Sequence, residues 1–424
     1  MKGTGMRKVG IVCIAGLFSA ISFGQTALTW EQIKERFVSA NPTLKASQLN
    51  IDESRAAEIT AYLRPNPSLG FSTDGTQLTR NEGVYRPFSG TQYGPNVSYL
   101  HERQQKRELR RDQAKESTAI AESTYLDQQR SLLFNLQSAF VNVLQAKAVL
   151  QNAQENLAYW DRELGIMRTR FQAGDLAQVD LSRLELQRVQ FESDYETSIV
   201  SLRTAKIQIQ MLLNDRTPIE RFDVAGPFGF TDELRPLEDY RRMALDGRPD
   251  LKAAMQNVEL ARLTYRLAVA NGSTDPTYTV WVTHNPSFNN PFDNNTIGAS
   301  ISIPLRIFDR NQGEKARTQV DISRNERLRD ANEAQVYSDI DSAYYTLVQN
   351  LNLLRPYKTR YLTLATDVRD RVSFSFQNGG ASLLDFLDAE KSYRDTRLAY
   401  LNLIGSYLTA VAQMDMAAGR ETVR

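Results

Sequence analysis

Asp385 and Asp388 are the residues whose type and spacing could do chemistry. They stand three apart in a run that reads as helix, so both carboxylates share one face. Paired acids lining an aqueous path attract cations and repel anions. They can equally serve the first turn of a helix, where acids offset unpaired N–H groups, or simply face solvent. On the residues alone, the cap or solvated face is the stronger reading. Asp180 holds the matching place in an earlier, similar run.

Little else suits a reaction centre. The chain has 424 residues, with two His and one Cys. His101 and His284 have no neighbour at metal-ligand spacing, and a zinc cage of protein ligands is excluded. With 51 Lys+Arg against 50 Asp+Glu there is no basic excess of the kind nucleic-acid binding needs. A mean hydropathy of -0.44 is too polar for a bundle of transmembrane helices, each needing ~20 consecutive apolar residues. The sequence reads as a non-enzyme that uses no cofactor and no nucleic acid.

Residues 1–24 read as a secretory signal. Lys2, Arg7 and Lys8 form its positive end, Val9 to Phe23 its apolar stretch, and Ser22 and Gly24 its small residues before Gln25. A retained N-terminal anchor is the second reading. Cys13 follows Val12 in the middle of the apolar run, the wrong place for a lipid anchor.

The rest of the chain is one unit written twice. NPTLKA at 41–46 recurs as RPDLKA at 248–253, and FQAGDLAQVDLSRLE at 171–185 as FQNGGASLLDFLDAE at 376–390. Gly94 to Tyr99 pairs with Gly298 to Ile303, so three matches fall in order at near-constant separation. We divide the chain into a first repeat at 25–216, a linker at 217–235 rich in Pro and Gly, and a second repeat at 236–424.

Each repeat has the same grammar of helix, two strands, very long helix, tight turn and helix. Leu136, Val143, Leu150, Leu157 and Leu164 recur every seven residues, as do Ile340, Leu347, Leu354, Tyr361 and Val368. Such a sustained period is a coiled-coil seam. No Pro and only one Gly interrupt 102–170, which gives a helix roughly 100 Å long. Its counterpart spans about 309–374, with Pro356 expected to kink it. Shorter helices at about 29–63 and 176–214 are expected to cover the first long helix, stacked end to end. Those at about 236–270 and 382–418 should cover the second.

Between the helices lie four strands. Ile297, Ala299, Ile301 and Ile303 alternate with Gly298, Ser300 and Ser302; Tyr278, Val280 and Val282 alternate with Thr277, Thr279, Trp281 and Thr283. Leu69, Phe71, Val97 and Tyr99 give a weaker version. Strict alternation makes one face apolar and the other polar. Long polar loops at about 75–93 and 284–296, together with the export signal, point to an outer-membrane barrel. Four strands cannot close one, since ~8 is the practical minimum, and open edges are not tolerated in lipid. Several chains must then share a barrel. Tyr278 and Trp281 suit either an aromatic girdle or ordinary packing. The basic run Lys106, Arg107, Arg110 and Arg111 reads as a solvated helix face, near lipid headgroups in a barrel protein.

With its repeats, RPNPSLGF at the entry to the first strand, ISIPLRIFDRNQGEKAR after the last, and two FQ-x-G turns, the chain resembles the TolC-type outer-membrane efflux proteins. The resemblance implies a mostly α fold with a small β part. A homotrimer would share a twelve-stranded barrel in outer-membrane lipid above a tunnel of periplasmic coiled-coil helices. A periplasmic adaptor would dock at the tips and link it to an inner-membrane pump of the RND type. IPLRIFDRNQG is similar to the cobalt–zinc–cadmium, CzcC-like subgroup, whose pumps export metal cations. That subgroup usually carries Gly-Gly-Lys-Arg where this chain has Gln104, Gln105, Lys106 and Arg107.

The resemblance also assigns sites. The turns at Gly174 and Gly379 would meet the adaptor, with Phe171, Ala173, Leu176, Phe376, Asn378, Ala381 and Ser382 extending the contact. Asp385 and Asp388, with Asp180, would form carboxylate rings at a periplasmic gate. Phe376 and Ala381 stand where some relatives latch the closed tip with Tyr and Arg. Apart from the efflux duct, for metals, drugs or a polypeptide, the remaining reading is a secreted helical scaffold with a soluble sheet.

Overall fold

The computed structural model describes residues 27–80, 82–285 and 294–422, so the signal segment at 1–24 lies outside the described residues. Helices α1 (Trp30–Ala40) and α2 (Pro42–Ala61) lead into strands β1 (Ser68–Asp74) and β2 (Gln92–Leu100). Next come α3 (Lys106–Ala173) and α4 (Gln178–Leu212), then α5 (Leu237–Gly247) and α6 (Pro249–Asn271). Strands β3 (Thr277–His284) and β4 (Asn295–Ser302) precede α7 (Gln312–Pro356), α8 (Leu362–Gln377) and α9 (Leu383–Ala418). The expected grammar is present in both halves.

The entry helix of each repeat is two helices, not one. Asn41 and Arg248 are extended at ψ 121 and 122, because a residue before proline is pushed out of the helical region. Asn41 turns the break to use: its side chain caps Leu44 N–H at 3.1 Å and donates to the Leu212 carbonyl, at the end of α4, at 2.9 Å. That bond joins the two shorter helices end to end along α3. In the second repeat Arg248 is 4% exposed and bonds Asp250 at 2.6 Å and Asp339 of α7 at 2.8 Å. There α6 and α9 pack on α7 in the same manner.

The seam along α3 is buried at Leu136, Val143 and Leu164. In α7 Ile340, Leu347 and Leu354 are buried, but Tyr361 and Val368 are exposed. The cause lies at Pro356. Proline supplies no N–H and crowds the preceding turn, and a π turn at Tyr357–Tyr361 follows it directly. One extra residue in that turn advances the phase by one position, so Leu362, Arg369 and Phe376 take over the inward face.

Three cores form. One joins α1, α3 and α4 with Phe222 and Val224 of the connecting segment, and another joins α5, α7 and α9. The connecting segment is thus packed structure: Leu28 pairs in parallel with Val224, and Lys147 and Lys206 hold Asp223 at 2.8 and 3.2 Å. The third core, at the helical turns, mixes both repeats. Trp160, Leu181 and Phe191 meet Phe376, Leu383 and Phe386 there. Trp160 is 1% exposed, stacked at 4.9 Å on Phe191 and 5.8 Å on Phe386.

Candidate functional site

The four strands make one antiparallel sheet in the order β1-β2-β3-β4, the two hairpins being joined through Val97↔Val280 and Tyr99↔Tyr278. Within this chain the outer edges of β1 and β4 have no partner strand among the described residues. Register gathers Leu69, Val97, Val280 and Ala299 in one row, with Tyr99, Tyr278 and Ile301 in the next. On this face Leu69 is 79% exposed, Phe71 67% and Ile297 77%. Such an apolar surface must be covered by something outside the chain. Aromatic rings bracket it: Tyr93 lies between Phe71 at 6.4 Å and His284 at 5.3 Å at one end, and Tyr278 faces His101 at 6.4 Å at the other.

The opposite face is polar, with Ser72, Asp74, Asn96, Ser98, Thr279 and Ser300 in register. Trp281 is on this polar face, so it is no part of an apolar girdle; Tyr278 is on the apolar face. The indole covers Gly298 across the β3–β4 pair. His284 bonds Asn295 at 2.9 Å, and no group of His, Cys, Asp and Glu suited to a metal ion occurs among the described residues.

The junction of sheet and helices corrects the reading of the basic run. Lys106 is 3% exposed, bonding Asp275 and the Ser273 carbonyl. Arg110 forks onto Glu102, and Arg107 lies 4.3 Å over the Tyr62 ring. The run is an ionic junction, not a solvated face. Gln104 and Gln105, standing where the CzcC-like pattern has glycine, adopt φ of 58 and 56, the region that favours glycine.

At the other end of α3, Gly174 and Gly379 have φ of 86 and 78. Asp175 N–H reaches back to Arg170 O at 2.9 Å and Gly380 N–H to Ser375 O at 2.8 Å, the same left-handed helix ending twice. Arg170 ties the turns together by donating to Phe376 O at 3.0 Å. Ala173, Gly174, Asn378, Gly379 and Ser382 are exposed, while Phe171, Leu176 and Ala381 are half-buried against the tip core. Phe376 differs from its expected place: it is buried, stacked 5.0 Å from Phe386, and presents no ring to a partner. Sequence reasoning missed Val179 and Leu384, 62% and 75% exposed, although each directly precedes the aspartate of its repeat.

Asp385 is a capping group. Its carboxylate accepts from Ser382 N–H at 3.1 Å and from the Ser382 hydroxyl at 2.6 Å, while its own N–H donates to Ser382 Oγ. Those bonds, side chain first and then backbone, hold its pKa below the ordinary value. Asp388, one turn on, is exposed, and Asp180 lies 3.9 Å from Arg183. Two acids nearby went unnoticed in the sequence because only folding buries them: Glu163 at 8% and Glu390 at 6% exposure.

The family model of outer membrane efflux proteins matches residues 35–213 and 241–420, one segment in each repeat. The chain belongs to the outer membrane efflux protein family. Among its relatives is the cobalt-zinc-cadmium resistance protein CzcC of Cupriavidus metallidurans, 23% identical over 93% of this chain and 90% of that one. TolC of Escherichia coli is 22% identical over 98% of this chain and 87% of its own length. The solved structure of CusC superposes with a TM-score of 0.76 at 18% identity, covering 94% of this chain and 96% of that one. Family membership makes the molecule an outer-membrane efflux channel and not an enzyme. No helix among the described residues is long and apolar enough to cross a membrane.

Proposed function

We propose that this efflux protein is the passive exit duct of a tripartite exporter, assembled as a homotrimer. One observation carries the reading: a four-stranded sheet, apolar on one face, polar on the other and open at both edges. Three such sheets joined β4 to β1 would close twelve strands, satisfying every edge that lipid would otherwise penalise. Leu69, Val97 and Val280 would face lipid, and Asn96, Thr279 and Ser300 the lumen. The long helices would continue the lumen as a periplasmic tunnel, fed by an adaptor and an inner-membrane pump of the RND type.

Exposed turn residues Ala173, Gly174, Asn378, Gly379 and Ser382, joined by Val179 and Leu384, are the surface offered to the adaptor. Asp385 and Asp388 are the proposed acidic rings at the periplasmic gate, with Asp180 beside them; capping by Ser382 keeps the Asp385 ring charged. Metal cations are the proposed cargo. IPLRIFDRNQG and a relative named for cobalt, zinc and cadmium resistance support this.

A deletion strain, with and without the complementing gene, tests the cargo. Sensitivity to divalent metals alone is expected; sensitivity confined to organic antibiotics would keep the duct and discard the metals. For the tips, bulky residues at Gly174 and Gly379 should abolish co-purification of the adaptor, and unchanged recovery would contradict the contact.

A further inference from the structure

The two repeats solve the same electrostatic problem differently at one position. Glu185 and Glu390 close the matching runs FQAGDLAQVDLSRLE and FQNGGASLLDFLDAE. Glu185 is solvent-facing and pairs with Arg168 at 2.9 Å. The residue matching Arg168 in the second repeat is Ser373. Glu390 has therefore lost the arginine, is 6% exposed, and its Oε1 has no hydrogen-bond partner among the described residues.

What faces Glu390 does not replace that cation. From α3 come the Tyr159 hydroxyl and a second buried carboxyl, Glu163, held by Gln377 Nε2 at 3.0 Å. From α8 come Arg369, Asp370 and Ser373. The Arg369 guanidinium bonds Asp370 at 2.7 Å and lies 4.0 and 5.0 Å over the rings of Tyr393 and Tyr159. Within α9 itself, Lys391 turns to Asp395, and Arg394 turns toward Asp194 of α4 at 3.6 Å. A Glu390 carboxylate buried beside a second carboxyl, with its nearest arginine already engaged, is costly to ionise in a packed helix junction.

We propose that Glu390, buried beside the Glu163 carboxyl, forms a proton-operated lock at the helical tip, protonated when α9 packs on α3 and α8, and loosening that packing when ionised. Burial raises the Glu390 carboxyl from 4.5 to about 7; Glu163 and Asp370 add to the rise, Tyr159 and Arg369 oppose it. A carboxyl whose folded pKa is raised favours packing below its unfolded value. That advantage is lost as pH climbs from 4.5 to about 7. The segment to be released already has a hinge, since α8 starts at the π turn after Pro356. In a duct the lock would couple the tip's aperture to periplasmic pH. That consequence rests on the proposed function, but the packing change does not.

Trp160 reports on the lock, because it is sandwiched by Phe191 and by Phe386 of α9. The full-length protein in detergent, with Trp30→Phe and Trp281→Phe, leaves it as the single indole. Its emission should shift reversibly to the red with a midpoint near pH 7. Glu390→Gln should hold it blue-shifted across that range, and Glu185→Gln should titrate like the parent. Hydrogen exchange over 383–395, corrected for intrinsic rates, should accelerate over the same range and not in Glu390→Gln. No transition between about pH 5.5 and 8.5, or one that Glu390→Gln leaves unmoved, would overturn the lock. Conductance in a planar bilayer separates the two claims: a tip that loosens with pH in a protein that forms no conducting channel contradicts the duct and leaves the lock standing.

Discussion

Trp281 and Gly298 are cross-strand partners on the polar face of the sheet, and a methyl group added to Gly298 would stand 2.4 Å from two carbons of the indole. The glycine exists to admit the ring. Gly298→Val should force the indole off its strand at a cost of about 1–3 kcal/mol. We expect weaker recovery of membrane-inserted protein, and Trp281→Ala in the same chain should restore it.

Gln104 and Gln105 hold backbone angles that suit glycine, at a cost of roughly 1–2 kcal/mol for each left-handed residue. Gln104→Gly or Gln105→Gly should therefore raise stability by about 1 kcal/mol, since glycine's extra chain entropy offsets part of the gain. Thermal unfolding of each variant in detergent checks it. The matching N-cap of α7, Asn311, is already a residue that tolerates φ of 61, so Asn311→Gly should change little.

Arg248 is buried between Asp250 and Asp339, where α6 meets α7. Arg248→Met leaves Asp250 without its main partner and should cost about 3–5 kcal/mol in denaturant unfolding. Burial alone would raise the Asp250 pKa, but the Arg248 bonds, with Arg130 nearby, hold it below 3.8. A depressed carboxyl stabilises above its unfolded pKa. Its contribution should vanish as pH falls below 3.8, the opposite sign to Glu390.

Ser382 and Asp385 share a reciprocal cap at the start of α9. Ser382→Ala should cost about 1 kcal/mol and let the Asp385 pKa rise toward its ordinary value, as an NMR titration of the carboxyl would report. Asp388→Ala should leave stability unchanged, because Asp388 faces solvent. If the acidic rings gate the channel, Asp385→Ala with Asp388→Ala should raise conductance or remove block by divalent cations. No change in either would contradict the gate.

Repetition and period made most of the architecture readable in the residues. The alternation of Ile297, Ala299 and Ile301 foretold an apolar face, and the FQ-x-G runs foretold two tight turns. Local chemistry misled where tertiary context decided. Tyr361 and Val368 keep the seven-residue count in sequence, but the π turn after Pro356 rotates them outward. Phe376 sits beside an exposed turn and yet fills the shared core, because its stacking partner Phe386 lies on the returning helix. Lys106 looked solvated for want of Asp275, which is distant in sequence and adjacent in space. At the tip, the capping role of Asp385 was readable from the place of an acid in the first turn of a helix. Burial of Glu390 was not, since Glu185 has the same local sequence setting and a solvent-facing fate.

The most direct test is the mass and location of the assembled protein. Cells expressing the full chain are fractionated, and the outer-membrane extract is measured by native mass spectrometry in detergent. Three chains per particle, recovered from the outer membrane, are expected if the open sheet edges close on neighbouring copies. A monomer recovered from the soluble periplasmic fraction would contradict the shared barrel.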